Sequence, residues 1–542
     1  MTLTITGRDK MFHPGLMFQR AAYRYPGTAI RLDKPLDLAP ELGTFLKYED
    51  LAFLVESTAA SLRAHGVLPG QKVAVYKSQN ADIMLLACAI ARVGAVPAML
   101  APALDGGTVA EMAEFLRPEH LISDAAKLID SDLDRSTWTL APSVLLVGRA
   151  FNGLPLLRER YGRPPAYPET EPSDVMIITH TSGTTGLPKL VAQSRSGMQA
   201  HVTIQRRIAR VLRVREPYAL CISFVHARTY SALAMGLERG LPFAFLTDSS
   251  VGSVRRMFEG FRPGLVETHP NTYIQWEELA EEPNGPLSQV KFYIGTFDAI
   301  HPRTVKILLG ASNRRRAMYF QAYGQSETGP VTVKPYSRWL WTRSEGRCVG
   351  HPIPGVTRAR IGEKSDGRIG PIEVRSRGQA RTYVGQNDRW RRNFTPDGWW
   401  DMTDVGHRGR LGCVHLLDRE VDRAELLESV LKVEDIVISR MPELTEAIVV
   451  PLDGFLQPVV CTRHDKPLDL PRWREAVADQ PPMAKPLQAH WTDLPTTATW
   501  KVKRLELRTM LMEAGYQDAA RCSGLQAGGE GPPRGRGRPG PR

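Results

Sequence analysis

The segment VMIITHTSGTTGLPK at residues 175–189 decides the fold class of this chain. It opens with an apolar run at 175–179, typical of a buried strand, and continues into a loop of hydroxyl residues and glycines that ends in Pro188-Lys189. Glycines let the backbone approach a ligand closely, hydroxyl and amide groups donate to phosphate oxygens, and the lysine adds a cation. A surface Ser/Thr/Gly linker would rarely follow a buried strand directly. The segment therefore predicts a triphosphate-binding loop, although it lacks the Gly-Lys-Ser/Thr ending of a Walker motif.

Strand and helix patterns alternate on both sides of this segment. Residues 50–65 and 81–93 have helical spacing and end at Gly66 and Gly94, whereas residues 72–76 form a short apolar run typical of a strand. Such alternation predicts parallel sheets with helices on both faces. Ligands of such sheets bind in the loops beyond the carboxyl ends of the strands.

The length of the chain and changes in its sequence pattern predict more than one domain. Its 542 residues suit two or three domains, and its 42% hydrophobic content supports a large core. After about residue 357, short strands with glycine turns replace the alternation. A smaller α+β pattern follows, with a helix predicted at residues 434–441 and a strand at residues 446–450. Gly, Pro and Arg dominate the end of the chain, which predicts disorder there. We expect a first domain at 1–421, a second at 422–519 and a disordered basic tail at 520–542.

Charge and cysteine content argue against several classes of protein. The net charge is +12, of which +4 lies from Arg521 onward, where five arginines oppose one glutamate. Because a nucleic-acid-binding surface clusters its basic residues, and only this tail does so, we expect no nucleic-acid partner. There is no apolar signal segment and no long apolar run, which predicts a cytoplasmic protein without a membrane span. The six cysteines form no C-x-x-C pair, so their spacing predicts neither a metal site nor a disulfide framework.

The loop at 181–189 resembles the signature phosphate loop of the ANL superfamily, which comprises acyl-CoA synthetases, adenylation domains of peptide synthetases and luciferases. The resemblance extends from about residue 15 to about residue 510. It implies an α/β fold with a large N-terminal AMP-binding domain, made of two doubly wound α/β subdomains and a small β-barrel, and a mobile α+β C-terminal domain. The implied cofactors are ATP, Mg²⁺ and coenzyme A, and the implied intermediate is an acyl-AMP.

Motifs that match the superfamily in order imply the roles of individual residues. The segment YGQSET implies that Tyr323 stacks on adenine, Ser326 contacts phosphate and Glu327 holds Mg²⁺. The physical chemistry agrees, because an aromatic face suits a base and a hard carboxylate suits Mg²⁺. Asp404 in GWWDMTDVG and Arg419 in LLDRE match residues that contact the ribose or phosphate, and a carboxylate is a suitable acceptor for ribose hydroxyls. A strand-to-loop turn or a surface ion pair would explain any one of these residues alone.

The resemblance also implies the residues at the reacting groups. His226 in SFVHAR matches a residue between the acyl pocket and the phosphate site, and Lys501 in TTATWK matches the C-terminal lysine that bridges the substrate carboxylate and the α-phosphate. A single histidine is more often structural, whereas the residues flanking Lys501 favour a functional role. Phe297 stands where the superfamily has a small residue along the pocket. The predicted catalytic residues are Lys501, Glu327 and His226, with Glu327 also the metal ligand, and the predicted nucleotide-binding residues are Thr181, Ser182, Gly183, Thr184, Thr185, Gly186, Lys189, Thr296, Phe297, Asp298, Tyr323, Gly324, Ser326, Asp404 and Arg419.

Several residues depart from the superfamily pattern. Trp500 replaces the glycine before the catalytic lysine, Val421 replaces the hinge aspartate, and Glu428 replaces the glycine that lets the pantetheine arm of coenzyme A pass. Leu190 replaces the glycine that follows the phosphate loop, and Met402 and Thr403 replace the usual Thr-Gly before Asp404. A side chain at a glycine position restricts the backbone. Trp500 therefore threatens adenylation, and the other two changes in the C-terminal region threaten thioester formation or the domain rotation.

The leading hypothesis is an acyl-CoA ligase that converts a carboxylic acid to its CoA thioester through an acyl-AMP, chiefly by positioning and electrostatics. A specialised form would carry out only the thioester step, within a natural-product pathway. The first alternative is a stand-alone adenylation enzyme that loads the phosphopantetheine of a carrier protein. A catalytically inactive acyl- or nucleotide-binding protein is disfavoured by the intact motifs. The acid substrate and the oligomeric state stay open, with a dimer one expectation.

Overall fold

The computed structural model describes residues 11–133, 140–159, 162–163, 165–183, 186–296, 300–338, 347–362, 369–409, 411–419, 429–452, 455–497, 501–513 and 526–527. The chain divides into two compact units, one formed by Met1–Leu416 with Thr497–Lys501 and the other by Leu417–Thr496 with Val502–Arg542. The functional assignment of an adenylation domain, a mobile domain and a tail stays a prediction.

Helices and strands alternate through the first unit and into the second. The α-helices are α1 Met17–Arg24, α2 Tyr48–Ala64, α3 Asp82–Val93, α4 Gly106–Leu116, α5 Ala125–Asp130, α6 Arg195–Val211, α7 Ala227–Glu238, α8 Val251–Phe261, α9 Pro270–Gln275, α10 Pro302–Ala311, α11 Asn387–Arg391, α12 Val430–Arg440, α13 Leu470–Ala476 and α14 Arg504–Glu513. The strands are β1 Ala29–Leu32, β2 Phe45–Lys47, β3 Lys72–Val75, β4 Val96–Met99, β5 His120–Ser123, β6 Ser143–Leu146, β7 Val175–His180, β8 Leu190–Ser194, β9 Tyr218–Cys221, β10 Phe243–Phe245, β11 Leu265–Thr268, β12 Phe292–Gly295, β13 Met318–Gln325, β14 Gly329–Ser337, β15 Cys348–Pro352, β16 Thr357–Ile361, β17 Ile369–Ser376, β18 Thr382–Tyr383, β19 Trp400–Arg408, β20 Val414–Arg419, β21 Leu444–Leu452, β22 Phe455–Thr462, β23 Leu487–Gln488 and β24 Gln526–Ala527.

Two large sheets organise the first unit. One has seven strands in the order β18-β8-β7-β4-β3-β5-β6, and its members β7, β4, β3, β5 and β6 run parallel. The other has thirteen strands in the order β16-β17-β19-β20-β15-β14-β13-β12-β11-β9-β10-β1-β2, and its stretch from β13 to β1 is parallel. The predicted α/β class is therefore confirmed.

Individual elements agree with the patterns that predicted them. The predicted helix at 81–93 forms as α3, which is buried along its whole length and ends at Gly94 with φ of +89°, a left-handed conformation that glycine adopts at low cost. The predicted helix at 50–65 forms as α2, and the predicted strand at 72–76 forms as β3. Because β9, β11 and β12 are parallel neighbours, the residues that follow them share one edge of the sheet.

The second unit contains the antiparallel hairpin β21–β22, most of whose residues are buried. Its predicted helix and strand form as α12 and β21, each a few residues longer than expected. Arg504 of α14 donates to both carboxylate oxygens of Glu434 of α12, at 2.7 and 2.6 Å. Within the residues that the structure describes, no helix combines the length and apolar composition needed to span a bilayer.

Candidate functional site

The predicted phosphate loop is the turn of a two-stranded hairpin. Strands β7 and β8 pair antiparallel up to the loop. The Thr181 N–H donates to the Lys189 carbonyl at 3.0 Å, and the Lys189 N–H donates to the Thr181 hydroxyl at 3.0 Å. Gly183 and Gly186 have φ of +70° and +123°, which favour glycine. The sequence therefore places a closed, glycine-dependent turn directly after a buried strand.

A tyrosine that no sequence motif singled out connects this loop to the predicted metal-binding carboxylate. Strand β18 pairs with β8 and sets Tyr383 opposite Val191. The Lys189 Nζ lies 5.2 Å from the centroid of the Tyr383 ring, and the Tyr383 hydroxyl donates to Glu327 Oε1 at 2.6 Å. Burial, followed by Glu327, raises the pKa of Tyr383, and burial lowers the pKa of Lys189 against the opposing effect of Glu327. A cation and a carboxylate that are distant in sequence thus border one aromatic ring.

The carboxylate of Glu327 suits the implied Mg²⁺. It is 6% exposed, and the hydrogen bond from Tyr383 engages only one of its oxygens. Carboxylate and phosphate oxygens are the ligands that Mg²⁺ prefers. The residue follows strand β13, where a Cβ at Gly324 would collide with the Gly329 carbonyl. Gln193 of β8 donates to the Ser326 carbonyl at 2.7 Å, so the segment that bears Glu327 is held against the phosphate-loop hairpin.

The residues predicted for adenine and ribose also come together. The Tyr323 hydroxyl donates to Asp404 Oδ2 at 2.7 Å, and Asp404 is 8% exposed. Thr403, which replaces the superfamily glycine before this aspartate, has φ of +57°, in the left-handed region that favours glycine. Arg419 is the last residue of β20, and its side chain lies outside the described part of the chain.

His226 lies at the amino terminus of α7 and forms part of a cluster with other basic side chains. Burial, followed by the nearby His180, His269 and Lys501, lowers the pKa of His226 to about 3. A buried imidazole near a cation such as Lys501 stays neutral at physiological pH. Lys501 belongs to the same compact unit as His226. The two residues predicted to act at the reacting groups are therefore electrostatically coupled.

His180 links this histidine cluster to the phosphate loop. Its Nε2 accepts a hydrogen bond from the Ala101 N–H at 3.1 Å, and its Nδ1 donates to the Thr181 carbonyl at 2.8 Å. This pair of contacts defines a neutral tautomer with the proton on Nδ1, and burial lowers the pKa of the ring. The start of the phosphate loop is thereby fixed beside His226.

A buried ion pair stands at the shared edge of β9, β11 and β12. Arg228 donates from Nε and Nη2 to the two oxygens of Glu267, at 2.5 and 2.7 Å. Tyr218 also donates to this carboxylate, and the Thr296 hydroxyl lies 3.4 Å from it. Glu267 has no solvent exposure. Sequence reasoning missed this network, although a glutamate inside the apolar strand LVET at 265–268 was its available signal.

Several predicted residues lie outside the residues that the structure describes. They are Thr184 and Thr185 of the phosphate loop, Phe297 and Asp298 after β12, and Val421, Glu428 and Trp500 among the departures from the superfamily pattern.

The arrangement is that of an α/β nucleotide-binding enzyme, and comparison with known proteins agrees. Residues 18–384 match the family "AMP-binding enzyme", and the chain belongs to this adenylate-forming family of the ANL superfamily. A relative from Streptomyces cremeus, 3-amino-2-hydroxy-4-methoxybenzoate diazotase, is 41% identical over 535 residues, which cover 93% of this chain and 96% of the relative. Another relative, 3-aminoavenalumate diazotase from a Streptomyces species, is 24% identical over 435 residues, covering 74% of this chain and 73% of the relative.

The fold is similar to that of solved structures. The ATP-bound protein MatB of Rhodopseudomonas palustris matches with a TM-score of 0.74 and 20% identity, over 92% of this chain and 99% of that one. The chain is thus an ATP-dependent, adenylate-forming enzyme by family.

Proposed function

We propose that this protein is an ATP-dependent diazotase, which activates nitrite as a mixed anhydride with AMP and converts the primary amine of an aromatic acid to a diazo group. The observation that carries the proposal is the similarity to the Streptomyces cremeus diazotase over nearly the whole length of both chains. The adenylate-forming fold suits this chemistry because nitrite, like a carboxylate, is a small oxyanion able to attack the α-phosphate of ATP.

The proposed reaction balances without an external oxidant or reductant. A nitrite oxygen attacks the α-phosphorus, the bond to pyrophosphate breaks, and nitrosyl-AMP forms. The amine nitrogen then attacks the nitroso nitrogen, AMP leaves with the bridging oxygen, and the ammonium proton is lost. The resulting N-nitrosamine isomerises to a diazohydroxide, which takes up a proton and loses water to give the diazonium ion. A hydroxyl on the neighbouring ring carbon stabilises the product because loss of its proton neutralises the diazonium charge.

The nucleotide side of the site would hold the phosphates by charge and position. Lys189 supplies a cation in the phosphate loop, while Tyr323 and Asp404 offer a ring face and a carboxylate to the nucleoside. Glu327 would hold Mg²⁺, which supplies neutralisation of the triphosphate charge when bound. Lys501 would stabilise the negative charge that develops as pyrophosphate leaves.

The histidine cluster and the ion pair would serve the other substrate. A neutral His226 keeps a lone pair that accepts a hydrogen bond from the attacking amine, which an imidazolium lacks. Because Glu267 is already satisfied by Arg228 and Tyr218, we expect this network to form a rigid polar wall rather than to change protonation during the reaction. Such a wall suits a ring bearing hydroxyl or carboxylate groups.

An acyl-CoA ligase is the second candidate, and the order of the superfamily motifs favours it. The thioester-only form and the enzyme that loads a carrier protein share this support. The replacements at Val421 and Glu428 count against efficient use of coenzyme A, because they change the hinge residue and the glycine that lets the pantetheine arm pass in the superfamily.

One experiment separates these candidates. The full-length protein is incubated with ATP, ¹⁵N-nitrite and a panel of aminobenzoates with and without a hydroxyl beside the amine, and products are identified by mass spectrometry. We expect an ATP-dependent diazo product that carries one ¹⁵N atom, together with AMP and pyrophosphate. Parallel reactions replace nitrite by coenzyme A, or supply a synthetic acyl-AMP with coenzyme A or a holo-carrier protein.

The control is the Lys189→Ala variant, since nitrite also diazotises amines without an enzyme in acid. Product that is equal with this variant, or without ATP, would contradict the proposal. A CoA thioester formed from ATP and an aminobenzoate, without any diazo product, would establish the second candidate instead.

A further inference from the structure

Cys348 of β15, His415 of β20 and Cys413, which directly precedes β20, meet in the structure. These strands pair antiparallel with Cys348 opposite His415, and directly opposite residues of such strands have close side chains. Cys413 precedes His415 by two residues, a spacing that places both side chains on one face of an extended chain. The Cys413 Sγ lies 3.3 Å from the His415 Nε2, and one ligand atom from each of the three residues lies within 4.8 Å of the other two.

Gly409 packs closely against two of these three atoms. A Cβ at Gly409 would lie 2.7 Å from the Cys413 Sγ and 2.8 Å from the His415 Nε2, so any larger residue would fill the space beside them. The Gly409 N–H donates to the Cys413 carbonyl at 2.9 Å and holds the turn in place. The His407 ring stacks on the His415 ring, with centroids 4.7 Å apart and planes at 20°, which orients the imidazole.

We propose that Cys348, Cys413 and His415 bind one divalent cation of the zinc class. Tetrahedral Zn²⁺ with Zn–S of about 2.3 Å and Zn–N of about 2.0–2.1 Å requires a sulfur–nitrogen separation of about 3.6 Å and a sulfur–sulfur separation of about 3.8 Å. The observed separations reach these values with small side-chain movements. Two thiolates balance the charge of the dication, and their softness selects zinc over magnesium. Solvent would occupy the fourth position.

The position of the site indicates what the cation would do. The register of β15 and β20 is irregular between Cys348 and Gly350, so a bond from each strand to one ion would fix a pairing that the ladder holds weakly. On its other side, β15 pairs with β14, the partner of the strand that carries Tyr323. The ion would therefore stabilise the sheet next to the strand that carries Tyr323. This inference is independent of the proposed diazotase activity.

The test uses full-length protein purified under reducing conditions. Zinc content is measured by mass spectrometry of the metal after dialysis, and Co²⁺ is titrated into metal-free protein while thiolate-to-cobalt charge-transfer absorption is recorded. We expect about one equivalent of zinc per chain and a charge-transfer band that zinc abolishes. Cys348→Ser and Cys413→Ser should each weaken binding by at least about tenfold, and His415→Asn should weaken it while keeping the thiolate band. Cys461→Ala, which removes a buried thiol elsewhere, is the matched control.

Circular dichroism shows whether a serine variant has folded. If it has not, X-ray absorption spectroscopy of the zinc-loaded wild type identifies the atoms that bind the metal. Sulfur neighbours at about 2.3 Å together with a nitrogen neighbour would support the site. Three outcomes would overturn it: no cobalt band in the wild type, equal binding by all variants, or a Cys348–Cys413 disulfide found by alkylation mapping of freshly purified reduced protein.

Discussion

The predicted nucleotide-binding region, with Lys189, Glu327 and Asp404, differs from the buried ion pair of Arg228 and Glu267 in how its charged groups are hydrogen-bonded. In the nucleotide region, Glu327 and Asp404 each accept a hydrogen bond from one tyrosine, at 2.6 and 2.7 Å, and Lys189 faces a ring 5.2 Å away. In the ion pair, Glu267 is fully buried and receives two hydrogen bonds from Arg228 and a third from a tyrosine. The side-chain hydrogen bond described for Glu327 engages one of its oxygens, whereas those described for Glu267 engage both. We therefore expect the ion pair to dominate stability and the nucleotide region to dominate rate.

The largest effect should come from breaking the ion pair. Arg228→Met leaves Glu267 buried without its cation, which costs about 3–5 kcal/mol in the free energy of unfolding. Urea denaturation at neutral pH measures the loss. The matched control is the double variant Arg228→Met/Glu267→Met, which removes both charges and should recover most of the stability. If the single variant were as stable as the wild type, the ion pair would not contribute the stability expected of it.

The next effect should appear in rate and leave stability unchanged. Lys501→Ala removes a cation that would stabilise the departing pyrophosphate, and the loss of one such group typically costs about 10²–10³-fold in turnover. Pyrophosphate release in the presence of ATP, nitrite and the aromatic amine is the measurement. Lys503→Ala, which breaks an exposed ion pair with Glu506 at 2.9 Å, should change turnover little. Equal losses in the two variants would contradict a specific role for Lys501.

Because His226 is buried beside other basic side chains, we expect the free energy of unfolding to fall in acid. The pKa of His226 falls from an ordinary value of 6.5 in the unfolded chain to about 3 in the folded protein. The unfolded state therefore binds more protons between these values, so the stabilisation is complete above pH 6.5 and is lost as the pH falls towards 3. His226→Gln should reduce the stability loss between pH 7 and pH 5 by about 2 kcal/mol. The exposed His351→Gln is the control, and an unchanged pH dependence in His226→Gln would show that His226 is not the titrating group.

The same comparison explains what the sequence predicted and what it did not. The turn between β7 and β8 was predictable because its glycines are contiguous with a strand pattern, and Gly183 and Gly186 have the positive φ that favours glycine. Its binding of phosphate stays a prediction. Tyr383 was not predictable, since it reaches Glu327 only through the pairing of β18 with β8. The ion pair and the Cys348, Cys413 and His415 cluster are likewise products of strand pairing between distant segments, and the spacing rule for cysteines does not detect ligands on neighbouring strands. Turns can be predicted from contiguous sequence motifs. Buried polar clusters cannot, because they form only when distant segments pair as strands.

The smallest effect concerns Thr403, which replaces a superfamily glycine beside Asp404 and keeps a left-handed backbone conformation. Thr403 holds φ of +57°, which costs a residue with a Cβ roughly 1–2 kcal/mol. Thr403→Gly removes this strain, and the greater freedom of glycine in the unfolded chain offsets about 0.5–1 kcal/mol of the gain. We expect a net stabilisation of at most about 1 kcal/mol by urea denaturation, with Thr403→Ala, which keeps the Cβ, as the control. A clear loss of stability in the glycine variant would show that the hydroxyl contact with the Met402 carbonyl, at 2.7 Å, outweighs the backbone strain beside Asp404.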